Sequence, residues 1–125
     1  MVGNNRKEII DAKIEVEFET LSNIESLFGS LEAGQSLQLN DGEIELKLIS
    51  AGDTIAFDGG FTAEILISFS VGVASGVVGN VVYAALCGWV KKLTFDERRT
   101  RMTEESITQV IETKITTVSV SKKSH

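Results

Sequence analysis

The sequence predicts an α+β fold in which a small, mainly antiparallel sheet packs on a central apolar, glycine-rich helix and a C-terminal amphipathic helix completes the core. Three observations carry this expectation. Apolar and acidic residues alternate strictly in the first half, Ile65 to Val90 is a 26-residue run without a formal charge, and apolar residues recur at helical spacing after Thr103. A chain of 125 residues with 42% hydrophobic composition suits one domain with its own core, spanning 1–125. A polar tail is expected over about 1–7 and a frayed end over about 119–125.

The elements follow in order. Residues 13 to 19, Lys-Ile-Glu-Val-Glu-Phe-Glu, put Ile14, Val16 and Phe18 on one face and Glu15, Glu17 and Glu19 on the other, the pattern of a half-buried strand. Ser22 and Glu25 have capping-box spacing, and Ile24, Leu27, Phe28 and Leu31 recur helically, so a short helix is expected to end at Gly29 or at Ala33-Gly34. Asp41-Gly42 lies between two alternating runs and predicts a tight hairpin with positive φ at the turn. In that register Leu39 faces Ile44 and Leu37 faces Leu46, which leaves Glu43, Glu45 and Lys47 on the opposite side. Asp53 to Phe57 is expected as a further strand, broken by Asp58-Gly59-Gly60.

The uncharged run is expected to be the central helix. Ser68, Gly72, Gly76, Asn80, Ala84 and Gly88 fall four apart and would lay one narrow helix-packing groove along it, while the intervening apolar residues bury the rest. Ile67 to Val73 also alternates with period two, which would suit a central strand. After Lys91-Lys92, Leu93 to Met102 suggests a polar hairpin. Thr103 is expected to cap a helix over about 103–117, with Glu104 and Glu105 in its first turn and Ile107, Val110, Ile111, Ile115 and Val118 on its apolar face.

Charge is unevenly distributed. Residues 1–60 carry four basic against twelve acidic side chains, residues 61–90 carry Glu64 alone, and residues 91–125 carry eight basic against five acidic, giving a net −6 for the chain. This asymmetry argues against nucleic-acid binding by the first half, because phosphate contacts need clustered Lys and Arg. No metal, cofactor or catalytic set is expected. The sole histidine is His125 at the chain end, and the sole cysteine, Cys87, lies in the apolar run, where a thiol behaves as a small buried hydrophobe. Glu15, Glu17 and Glu19 lack the Asp-x-Asp-x-Asp-Gly loop of a calcium site, and Asp53, Asp58 and Glu64 beside Gly52, Gly59 and Gly60 read as turn chemistry. Gly72, Gly76 and Gly79 do not have dinucleotide-loop spacing, and no phosphate loop is present.

A chain without catalytic inventory and with an acidic sheet face is expected to be a non-enzymatic interaction module. Glu15, Glu17, Glu19, Glu43 and Glu45 are the expected binding residues and a basic protein the expected partner. One concrete form is a bacterial immunity protein that covers the cationic cleft of a nuclease toxin. Because the N-terminus lacks a long apolar leader, residence in the cytoplasm is expected. The alternative is a membrane-associated protein whose segment 65–90 spans a bilayer about 30 Å thick and forms homo-oligomers through Gly72 and Gly76. Against it, Lys91-Lys92 after the run would hold the C-terminal side in the cytoplasm and require export of an acidic segment.

Overall fold

The alternation read at residues 13 to 19 begins earlier, at Ile9, in the computed structural model, which describes residues 8–55, 60–95 and 98–123. The expected tail 1–7, residues 56–59 with the Asp58-Gly59 break, and His125 lie outside the described residues. Strand β1 (Ile9–Phe18) buries Ile10, Ala12, Ile14, Val16 and Phe18 and turns Asp11, Lys13 and Glu15 outward. Helix α1 (Leu21–Phe28) starts at Thr20, whose hydroxyl accepts from the Asn23 amide, so Thr20 and not Ser22 is the cap. The helix stops at Gly29, where φ is 81°, which leaves Leu31 exposed. Ile24 and Phe28 anchor it in the core.

Strands β2 (Ser36–Leu39) and β3 (Ile44–Ile55) form the expected hairpin, with Leu39 opposite Ile44 and Leu37 opposite Leu46. Asn40, Asp41 and Gly42 all have positive φ, of 52°, 58° and 85°. These residue types tolerate that geometry best. Residues 53 to 55 continue β3 and do not form a separate strand.

The uncharged run is not one helix. Its first part belongs to β4 (Phe61–Ser70), followed by a turn, α2 (Ser75–Leu86) and the start of β5 (Val90–Phe95). In β4, Ala63, Ile65, Ile67 and Phe69 are buried while Glu64, Leu66 and Ser68 lie on the other side. Of the period-two segment 67–73, residues 67–70 belong to a strand that begins upstream at Phe61, where two flanking strands satisfy the backbone of β4 on both edges, and 71–73 lie in the turn. Helix α2 is only 12 residues long, and among the described residues no helix is long and apolar enough to cross a membrane.

The small-residue groove dissolves with that division. Ser68 is on a strand, Gly72 and Gly88 are in exposed turns, and Gly76, Asn80 and Ala84 are on the exposed side of α2. Val78, Gly79, Val82 and Leu86 form its buried face instead. Gly79 is the close approach. A Cβ there would lie 2.8 Å from the Thr108 Cα of α3 (Glu104–Lys123) and closer still to the Thr108 hydroxyl. Cys87 is exposed, contrary to expectation, its thiol 3.8 Å from the Ala84 carbonyl. The predicted polar hairpin is β5 with β6 (Arg98–Thr100). Thr103 caps α3 through the Ser106 amide at 3.2 Å, and the helix runs past the expected end, through 119–123.

The six strands among the described residues are all antiparallel, in the order β2-β3-β4-β1-β5-β6. One sheet face shares a single core cluster with Ile24, Phe28, Val78, Val82, Leu86, Ile107 and Ile111 of the helices. Fully burying one such side chain is worth about 1.5–3 kcal/mol. The helices occupy that face; the other carries the charges.

Candidate functional site

The charged side of the sheet is ordered by register into rows that cross the strands. In the first, Glu45 of β3, Ser68 of β4 and Asp11 of β1 are neighbours. Ser68 donates to the Asp11 carboxylate at 2.7 Å, and the Gln38 amide of β2 donates to Glu45 at 2.7 Å. The second row is Lys47, Leu66 and Lys13. The third is Ser50, Glu64, Glu15 and Thr94, and the fourth is Thr62, Glu17 and Lys92. Acidic rows thus flank a row with a lysine at each end.

Electrostatics within this face are local. Lys13 reaches diagonally to Glu64, with Nζ to Oε2 at 2.7 Å. The hydrogen bond and charge of Lys13 hold the Glu64 carboxyl below the usual carboxylate range, and the same contact raises the Lys13 ammonium, with a smaller contribution from Glu15. Glu15 stands directly opposite Glu64, a like-charge pair that disfavours the sheet. Glu17 is more enclosed than Glu64, with a side chain 13% exposed and Lys91 at 3.8 Å, where a register shift between Glu17 and Phe18 sets off the extra residue of β5.

Of the five acids read from the sequence, the fold brings Glu15, Glu17 and Glu45 onto this face. It separates the other two. Glu19 follows β1 at one end of the sheet, whereas Glu43 sits in the hairpin turn near the opposite end, bonded by the Asn40 amide at 2.9 Å. In their place stand Asp11 and Glu64. Extending the alternation of β1 by one repeat would have found Asp11, but Glu64 joins only through pairing of β4 with β1.

Among the described residues no three His, Cys, Asp or Glu side chains are grouped to hold a metal ion. What the arrangement can do is recognise charge. Its carboxylates stand on a rigid pleat at the spacings of adjacent strands, with lysines between them that set where a positive group can approach. Compared with known proteins, the chain matches no family model, no curated protein and no solved structure.

Proposed function

We propose that this chain is a non-enzymatic interaction module that presents the open face of its sheet to a basic protein, in the manner of an acidic inhibitor such as a bacterial immunity protein against a nuclease toxin, acting in the cytoplasm. The observation that carries the reading is the convergence of Asp11, Glu15, Glu17, Glu45 and Glu64, from three strands, on the sheet face opposite the one that the described helices cover. A strand-borne face of this kind costs little ordering on association, because its backbone is already fixed. Opposite charge would accelerate encounter and penalise acidic competitors.

The test uses the protein as bait beside a variant carrying Glu15→Lys, Glu17→Lys and Glu45→Lys. Glu15→Lys removes the repulsion from Glu64, so any binding loss from that change is separable from unfolding by comparing melting curves. The captured partner is expected to be basic, to lose its activity when bound, and to bind the wild type progressively more weakly as salt rises. Equal capture by the variant, or an affinity indifferent to salt, would remove the acidic face from the binding reaction.

A further inference from the structure

The two ends of the sheet are protected unequally. At one end β6 carries Arg98 and Arg99, charges that keep two such edges apart, whereas Gln35 to Asn40, the segment that holds β2 at the other end, has no charged side chain and no proline. The ladder fixes which groups of β2 face outward. The Leu48 amide donates to the Gln35 carbonyl at 2.8 Å, so Gln35, Leu37 and Leu39 turn their backbone groups toward β3, and Ser36 and Gln38 turn theirs away from it. No described strand lies beyond them. The core is also incompletely covered at this edge, since Leu37 and Leu39 are only half-buried while their cross-strand neighbours Leu46 and Ile44 are fully enclosed. On the open face beside β2, Lys47 stands opposite Ser36 and Glu45 opposite Gln38. Lys47 is exposed and makes no ion pair with a described residue.

From these observations we infer that β2 pairs with β2 of a second copy of this chain, antiparallel about a two-fold axis perpendicular to the sheet, and so joins the two sheets into one. Ser36 and Gln38 face outward, so they form the hydrogen-bonded pairs of the new ladder. The register that centres Leu37 on the axis sets Ser36 opposite Gln38 of the second copy, twice by symmetry, and brings the two Leu37 side chains together on the core face. On the open face it lengthens one row to Lys47 and Ser36, then Gln38 and Glu45 of the second copy. Gln38 donates its amide to Glu45 at 2.7 Å, which leaves its side-chain carbonyl to accept from Lys47, reaching over the small Ser36. Charge therefore selects the occupant, because the lysine of one copy meets the acidic end of the other's row. A strand without that lysine behind it would gain the backbone bonds alone. Both helical layers stay on one side and both acidic faces on the other, so pairing doubles the face assigned to a basic partner.

The experiment is sedimentation equilibrium of the full chain over a range of concentrations, in reducing buffer because Cys87 is exposed. The wild type is expected to form a reversible dimer and nothing larger, since a two-fold interface closes on itself. S36K/Q38K sets lysine against lysine in both pairs and should weaken dimerisation by about tenfold or more. S36E/Q38K sets opposite charges together across the interface, and also against Lys47 and Glu45 within each chain, so it should dimerise at least as tightly as the wild type. Ser36→Pro removes a donor that points away from β3, so it should favour the monomer with its circular dichroism unchanged, and it decides the matter if S36K/Q38K fails to fold. A wild type that stays monomeric up to about 1 mM would overturn the inference. So would a dimer that both S36K/Q38K and Ser36→Pro leave intact, or S36E/Q38K dissociating as readily as S36K/Q38K. No basic partner is present in the measurement, so this inference and the acidic-face proposal fail independently.

Discussion

Lys13 shows how a single side chain organises the open face, since it stands between two carboxylates that would otherwise repel across β1 and β4. Its contact with Glu64 lies in solvent, so its effect on stability is small and screened by salt. The pH dependence has a definite sign. With the Glu64 carboxyl lowered in the folded state, the pair stabilises above the ordinary carboxylate range, and that contribution disappears as pH falls through the lowered value. With Lys13 raised, the contribution is present below the ordinary lysine range and disappears as pH climbs through the raised value. Glu64→Gln is therefore expected to lower the melting temperature slightly near neutral pH, with no difference from wild type in strong acid or high salt. A gap that persists in both conditions would mean that packing by Glu64, not charge, is what the substitution removes.

At the level of elements, the crossing of α2 and α3 separates two glycines that look alike in the sequence. Gly76 has open space where a Cβ would stand, so Gly76→Ala is expected to stabilise by up to about 1 kcal/mol through helix propensity alone. Gly79→Ala meets the backbone of Thr108 and forces the helices apart, an overpacking that costs about 1–3 kcal/mol. Denaturant melts of the two variants should move in opposite directions. Parallel shifts would mean that the helices do not approach at Gly79. The same contrast shows the limit of spacing arguments. A four-residue repeat from Ser68 to Gly88 implies a groove only if the chain is helical throughout, and β4 interrupts it.

For the molecule as a whole, the apolar run is consumed by the core. Ile65, Ile67, Phe69, Val78, Val82 and Leu86 are each at most 1% exposed, so the stretch that resembles a membrane span in composition turns most of its large side chains inward. Untagged protein in a detergent-free lysate is expected to stay in the supernatant after ultracentrifugation. A pellet that resists salt and dissolves in detergent would show the bilayer to be its solvent.

Local rules sufficed wherever a signal was complete within a few residues. The alternation of β1, the Asp41-Gly42 turn with its register, the Thr103 cap and the α+β class were all legible, because each depends on side-chain period or on φ tolerance at one position. The structure alone decided the rest. Residues 61–70 became a strand because β1 and β3 flank them, Gly79 and not Gly76 met α3 because of how two helices cross, and Glu64 joined Glu15 through pairing distant in the chain. Sequence determines what a segment can do alone; which face it shows, and which charges stand together on it, depends on neighbours that only folding brings into contact.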